Sequence, residues 1–519
     1  MVDCYSPLIL MEFQFPSISI LLAFLLFLFA LIRIGVKRST TNKSTPKLPP
    51  GPWQLPLIGN MHQLLGSLTH HVLRDLSNKY GPLMHLRLGE VSTVIVSSPE
   101  IAKEVMKTHD IIFANRPYLL FSRILSYDST NIGFSPYGDY WRQLRKICTV
   151  ELLNSNRVQG FRSIREEEVL HLIRSISPDW RSPINLSKKI FSLTYGITAR
   201  AAFGKKNTDQ EAFVSLVEEV VKLAGGFSLC DMYPSFKFLQ LISGMRPRLE
   251  KLHKRIDEIL ENIVNDHKEK NMTTKTGEEA AEEDLVDVLL KFQKHGDLQV
   301  PLTDRNIKAV LFDILSAGSD TSSTAVAWAM SEMLKSPQVM KRAQTEVRKV
   351  FGGRGNVDEG GLHELKYLQA VIKETLRLHP SAPLLLPREC SEQCEVNGYE
   401  IPVQTRVIVN AWAIGRDPRY WSEGEKFNPE RFLDSAVDYK GTDFEYIPFG
   451  AGRRICPGIL FALPNIELPL AQLLYHFAWE LPNGLKQEEL DMTETFGITV
   501  RRKQELCLIP VRYHPSPTK

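Results

Sequence analysis

The sequence lacks a disulfide framework, a strong charge of either sign and any internal repeat. Its seven cysteines are odd in number and irregularly spaced, so they do not pair off into the staples of a small secreted domain. Cys390 and Cys394 stand four apart with no histidine or second cysteine pair beside them. They read as ordinary thiols in a reducing compartment rather than as a metal site. A formal charge of +3 over 519 residues is too small to argue for a nucleic-acid partner. What is present is globular: 43% hydrophobic and 24% charged residues rule out a disordered chain.

Charge is missing altogether from Phe13 to Ile32, and Ile18 to Ile32 is almost wholly apolar. Roughly 20 apolar residues span a hydrocarbon core about 30 Å thick, so residues 13–32 read as a transmembrane signal anchor. A secretory signal peptide would have a shorter apolar core and a small-residue cleavage site after it. Here Arg33, Lys37, Arg38, Lys43 and Lys47 follow, against Asp3 and Glu12 before, which places the body of the protein in the cytosol by the positive-inside rule. Pro46-Lys47-Leu48-Pro49-Pro50-Gly51-Pro52 then forms a stiff, extended spacer. The reading divides the chain into a lumenal N-terminus at 1–12, the anchor at 13–32, a basic and proline-rich hinge at 33–52 and one catalytic domain at 53–519.

Inside that domain, Leu83–Leu88 and Val91–Val96, broken by Gly89-Glu90, predict a hairpin. Leu249, Leu252, Ile256, Ile259 and Ile263 fall at three- and four-residue steps and predict one amphipathic helix. The polar stretch Lys268 to Asp284 reads as a surface loop. Thr303 caps a predicted helix that continues to Lys335, before Ser336-Pro337, and spans roughly 50 Å at about 1.5 Å per residue.

The most informative ten residues are Phe449-Gly450-Ala451-Gly452-Arg453-Arg454-Ile455-Cys456-Pro457-Gly458. Gly452 and Gly458 allow tight turns and close approach to a flat surface. Arg454 makes forked hydrogen bonds to carboxylates. The amides around Cys456 and the helix from Leu460 onward favour a thiolate. A thiolate held by N–H donors suits a cysteine-ligated haem iron, because it pushes electron density towards oxygen and favours O–O cleavage. The alternative, a buried, inert cysteine in a turn, is the lesser reading of this loop.

Phe449, Gly452, Arg454, Cys456 and Gly458 stand where the haem-binding loop of the cytochromes P-450 has them, and the chain resembles that family from Pro46 onwards. The resemblance implies a mainly α fold with small β-sheets and an N-terminal transmembrane helix. It implies a haem b cofactor with Cys456 as the iron's axial ligand. It also implies electrons from NADPH through a flavin-containing NADPH–cytochrome P-450 reductase, and single-pass anchoring in the endoplasmic reticulum membrane. Met11-Glu12-Phe13 is similar to the usual start of plant anchors, so residues 1–10 read as an upstream extension.

Other expectations follow residue by residue from the same resemblance. Ala317-Gly318-Ser319-Asp320-Thr321-Ser322 carries the family's acid–alcohol pair at Asp320 and Thr321, whose implied role is to hold a water chain that supplies protons for O–O cleavage. By its residues alone, Gly318 admits a bend and the approach of a flat ligand. Trp141, Arg145, Arg454 and Arg388 match residues that hold the haem propionates. Arg142, Lys146 and Arg453 would offer the reductase a basic patch. Glu374 and Arg377 at i, i+3 would alone be a solvated bridge worth a few tenths of a kcal/mol; the family adds Arg431 and makes the three a structural brace.

Substrate contacts fall by resemblance on Leu119–Leu125, Val310–Thr321, Ala382–Leu386 and Phe496–Thr499. These are mostly apolar, Arg123 apart, which suits a hydrocarbon or lightly oxygenated terpenoid. Met232-Tyr233-Pro234 and Phe236–Ile242 form an apolar loop suited to dip into the membrane. The stretch from Gly458 to Pro464 is similar to spurge-family enzymes acting on casbene-type diterpenes. The expected activity is an NADPH- and O2-dependent monooxygenase of an apolar plant terpenoid, a diterpene such as casbene. The alternatives are a haem-thiolate isomerase or dehydratase working without reductase, and a non-catalytic haem or lipid carrier. Both leave the intact Asp320-Thr321 pair without a purpose.

Overall fold

The structure is a computed structural model describing residues 22–27, 47–66, 68–204, 210–225, 228–273, 283–295, 298–495 and 497–513. Of the expected anchor, 22–27 are helical and exposed, and the rest lies outside the described residues. No described helix is long and apolar enough to cross a membrane.

The predicted hairpin forms with the expected bounds. Strands β1 (Leu83–Leu88) and β2 (Val91–Val96) pair antiparallel from Leu83↔Val96 to Leu88↔Val91. The sheet is completed by β3 (Arg388–Glu389) and β4 (Arg406–Val409) in the order β1-β2-β4-β3, with β4 parallel to β2. The end of the proline-rich stretch meets this sheet, where Pro50 O accepts from His85 N at 2.9 Å, and a separate hairpin of Cys394–Val396 and Tyr399–Ile401, where Lys47 O accepts from Glu400 N at 2.9 Å.

Helices make up most of the remainder. Those that shape the site are α1 (Asp139–Ile147), α2 (Leu186–Phe203), α3 (Gln210–Ala224), α4 (Met245–Thr273), α5 (Asp304–Lys335), α6 (Lys366–Leu378) and α7 (Ile459–His476). On α4, Leu249, Leu252, Ile256 and Ile263 are buried as the periodicity predicts, while Leu260 takes the core position beside a half-buried Ile259. The helix runs to Thr273, beyond the predicted loop boundary at Lys268. Polar side chains there find partners: Lys268 Nζ lies 2.7 Å from Asp304 Oδ2, and His267 Nε2 lies 2.9 Å from Asp284 Oδ2.

Helix α5 has 32 residues and crosses the molecule. Thr303 caps it reciprocally, accepting from Asn306 N while the Asn306 side chain accepts from Thr303 N. It is buried along most of its length, and its middle is keyed to α2, where Thr194 Oγ1 donates to Ser319 O at 2.9 Å. Gly318 serves this contact rather than a flat ligand, because a Cβ there would lie 3.3 Å from Thr198 and 3.6 Å from the Phe461 ring.

Candidate active site

The cysteine loop is closed by its own backbone, with Cys456 N donating to Phe449 O at 3.0 Å. The Phe449 ring is half-buried, edge-on to Tyr439 at 5.6 Å. Gly452 adopts φ +68°, and a Cβ there would lie 2.0 Å from Met106 O, so glycine is required at that position. Gly458 N donates to Cys456 Sγ at 3.4 Å, just before α7 begins. Enclosure by protein pushes the Cys456 thiol up, and the Gly458 amide and the Arg145 guanidinium only partly reverse it. A bound metal cation is what would tip such a thiol to the thiolate.

Beside this loop the protein gathers an excess of buried positive charge. Arg454 donates to Ala114 O at 2.8 Å and Ser135 O at 2.7 Å, and its guanidinium lies 4.1 Å from the Trp141 ring centre. The Trp141 indole N–H is taken by Ile132 O at 3.1 Å. Arg388 donates to Ala451 O at 3.0 Å and lies 3.5 Å from Asp110. Arg116 donates to Gly133 O, Leu386 O and Pro387 O at 2.7–2.9 Å. Burial pushes Arg116 well below the ordinary arginine range, with Arg454 and Arg388 adding to the effect. Burial also lowers Arg388 to about 10, against Asp110, and Arg454 to about 9, helped by Arg388 and Arg145. A guanidinium stays protonated, so three of them buried this deeply, chiefly at the cost of lost hydration, call for anions. Two propionates are a matching load.

The third component is the middle of α5. Asp313, Ala317 and Thr321 follow at four-residue steps, a single stripe on one face. Within a largely buried helix Ala317 is exposed and Thr321 half-buried, so the packing of the protein leaves this stripe uncovered. Thr321 Oγ1 donates to Ala317 O at 2.8 Å. Asp313 accepts from Asn131 Nδ2 at 2.6 Å and Gly133 N at 3.0 Å, which ties the helix to the loop under the arginines, and burial raises its pKa to about 6. Asp320 points elsewhere, as an adjacent helix position must. Its buried carboxylate is ion-paired with Arg501.

An open cavity of about 90 Å³ lies beside the arginine cluster, with Pro387, whose carbonyl accepts from Arg116, in its wall. Leu119, Phe121, Pro383, Leu384, Leu385 and Ile498 line it, all from expected substrate segments; of the Phe496–Thr499 segment, Phe496 itself lies outside the described residues. The stretch Val310–Thr321 does not line it. Arg123 turns out to solvent, paired with Asp128 and Tyr118. Polarity enters instead through His70, Asp231 and Arg406. Met232 also lines the cavity and is buried, while Phe238, Leu241 and Ile242 are exposed.

A family profile described as cytochrome P-450 matches residues 49–508. The chain belongs to that family. It is 59% identical over 501 residues to tabersonine 16-hydroxylase 1 of Catharanthus roseus, covering 95% of this chain and 98% of that one. It is 52% identical over 503 residues to premnaspirodiene oxygenase of Hyoscyamus muticus, covering 97% and 99%. A zebra fish cytochrome P-450 solved with progesterone superposes with a TM-score of 0.74 at 25% identity, over 86% of this chain and 100% of that one. The enzyme is therefore a plant cytochrome P-450 monooxygenase whose cofactor is haem b with a cysteine thiolate ligand and whose electrons come from NADPH through a reductase. Proteins of this family generally take O2 and a hydrophobic substrate, and the plant members are typically anchored in the endoplasmic reticulum membrane.

Arg116 and Arg501 escaped the sequence reading, as did His70, Asp231 and Arg406 of the cavity wall. Arg116 is the one charge in the apolar run Ile111–Leu120, and that isolation was a usable signal. Arg501 sits in a charged stretch, Arg501-Arg502-Lys503, where nothing local distinguishes it.

Proposed function

We propose that this cytochrome P-450 hydroxylates, and further oxidises, an apolar plant terpenoid, with a casbene-type diterpene as the first candidate. The supporting observation is the cavity, whose walls are chiefly Leu, Phe, Ile and Pro and include Pro387, whose carbonyl accepts from Arg116. Such walls bury hydrocarbon without leaving donors unpaired. Asp231 and Arg406 at the lining favour a second reading, a substrate that carries an oxygen or nitrogen function. The relatives named for premnaspirodiene and for the alkaloid tabersonine lend support to each in turn.

The haem, when bound, supplies dioxygen activation and the oxidising equivalent. In this proposal Cys456 would ligate its iron, and Arg116, Arg145, Arg388 and Arg454 would neutralise its propionates. Trp141 stacks on Arg454 and holds it in place, while Phe449 shapes the loop. Thr321 offers its hydroxyl on the uncovered stripe of α5, and Asp320 brings a proton from the Arg501 side, turning towards Thr321 to pass it on. Ala317, with no side chain beyond Cβ, leaves room for a flat group against α5.

Residues 13–32 anchor the protein, with 1–12 in the lumen, 33–52 as hinge and 53–519 facing the cytosol. The exposed Phe238, Leu241 and Ile242 touch the bilayer. Arg142 and Arg453, half engaged by Asp139 and Asp110, join Lys146 as the surface that receives the reductase. Co-expression with a plant reductase, NADPH and a panel of casbene, premnaspirodiene and tabersonine tests the substrate class. Oxygenated product from casbene or premnaspirodiene supports the terpenoid reading; product from tabersonine alone transfers it to alkaloids.

A further inference from the structure

Cys390 and Cys394, ordinary thiols by their spacing, are brought together by the fold. Cys390 carries the β3–β4 pairing one step past Glu389: its N–H donates to Thr405 O at 2.9 Å, and its carbonyl accepts from Gln404 N at 2.8 Å. Its side chain is fully buried. Its Sγ lies 3.8 Å from the carbonyl oxygen of Ile401, and Ile401 is the residue directly opposite Cys394 in the separate hairpin. Cys394 packs against the same apolar cluster, which contains Cys390, Val396 and Ile401. The two thiols lie within hydrogen-bond reach of one another.

They are not equivalent. Cys394 is half-buried, so a small solute can reach it, whereas Cys390 is enclosed. The contact with Cys390 holds the Cys394 thiol below its ordinary pKa, although burial and the Glu104 carboxylate oppose it. The same contact, with burial, pushes Cys390 up, and its Sγ also lies 2.9 Å from Glu392 O. An accessible sulfur with thiolate character beside a protonated partner is the arrangement in which peroxide oxidation runs on to a disulfide.

We propose that Cys390 and Cys394 form a modification site, a dithiol that hydrogen peroxide converts to a disulfide. The Cys394 thiolate attacks one peroxide oxygen; the O–O bond breaks, an S–O bond forms and hydroxide leaves. The Cys390 sulfur then attacks the Cys394 sulfenic acid. An S–S bond forms, the S–O bond breaks, and the departing hydroxide takes the Cys390 proton. The sum is 2 R–SH + H2O2 → R–S–S–R + 2 H2O, with two electrons passing from sulfur to peroxide. The oxidant is at hand, because a monooxygenase that consumes NADPH without forming product releases it: O2 + NADPH + H+ → H2O2 + NADP+. In a reducing compartment the bond is transient, and two equivalents of a small thiol such as glutathione restore the pair. While it lasts, it joins the Cys394 hairpin to the chain two residues beyond Arg388.

The full chain, haem-loaded, reduced and then freed of reductant, tests this. Trypsin releases residues 389–406 as one peptide holding both sulfurs. After peroxide in small excess and alkylation with N-ethylmaleimide, that peptide should be about 2 mass units lighter and unalkylated, and glutathione should return both thiols. Its loss of alkylation should run about tenfold faster than that of the exposed Cys507. Cys390→Ser should stop at the sulfenic acid, caught on Cys394 by dimedone, and Cys394→Ser should leave Cys390 reduced. The carbon monoxide band reports that each variant is folded; should either variant lose it, the wild-type peptide decides alone. Both thiols still alkylated once Cys507 is oxidised, or a dimedone adduct on Cys390 in Cys394→Ser, overturns the proposal.

Discussion

Arg377 and Glu374 meet twice, Nε to Oε2 and Nη2 to Oε1, each at 2.8 Å, with both side chains fully buried. Arg431 Nε and Asn428 N share Glu374 Oε1 at 3.0 and 2.8 Å, and the remaining Arg377 N–H groups go to the carbonyls of Gly415, Gly424 and Lys426. This is a saturated interior network, not a solvated helix-face bridge, and it fastens α6 to the segment that leads into the cysteine loop.

Breaking it from one side leaves a buried charge unpaired, at a cost of about 3–5 kcal/mol. Glu374→Ala should therefore lower the thermal midpoint sharply and yield little haem-loaded protein. Arg377→Lys should fail nearly as badly, because an ammonium cannot reproduce the fork. A midpoint near wild type in either variant would contradict a bracing role.

Arg116 should act in opposite directions on the two forms of the protein. In the haem-free form it adds to a repulsive buried cluster, so Arg116→Met should hold or raise the thermal midpoint. In the loaded form it should lose a charge-assisted contact, and haem transfer to apomyoglobin should quicken about tenfold. Equal haem loss in the two proteins would remove Arg116 from the propionate set.

His85 on β1 gives a pH signature. Burial, and then Arg87, hold its pKa down at about 4 against an ordinary 6.5. Between those values the unfolded chain binds a proton that the folded chain refuses, so stability is fully present above 6.5 and falls as pH drops towards 4. The whole contribution is about 3 kcal/mol. His85→Asn should flatten the thermal midpoint against pH between 7 and 4.5; an unchanged slope would rule the effect out.

The parts of this molecule legible in its sequence are those whose pattern is local. The β1–β2 hairpin follows from two β-rich runs around Gly89-Glu90. The start of α5 follows from Thr303 ahead of an apolar period, and the Cys456 loop from glycine spacing. Distant partnerships are not written that way. Arg116 meets Leu386 and Pro387 some 270 positions on, and Arg501 reaches back to Asp320 and Glu218. Gly318 looked like a seat for a ligand because its lack of side chain shows in sequence, whereas the α2 residue that needs the space does not. Arg123 stood in a substrate segment by position, yet only the fold shows it turned outward.

Thr321 is the sharpest test of the chemistry. Thr321→Ala should keep haem, substrate and carbon monoxide binding, since none needs that hydroxyl, while peroxide replaces product as NADPH is consumed. Asp320→Asn should slow turnover, because an amide cannot relay a proton as a carboxyl group does. An isomerase would show neither NADPH dependence nor peroxide leak.

The central claim is that Cys456 presents a thiolate to a haem iron, and one spectrum addresses it. The reduced wild-type protein under carbon monoxide should absorb at about 450 nm through thiolate ligation. Cys456→Ala, purified with the same haem supplement, should lack that band. A Cys456→Ala protein that kept it would contradict the account.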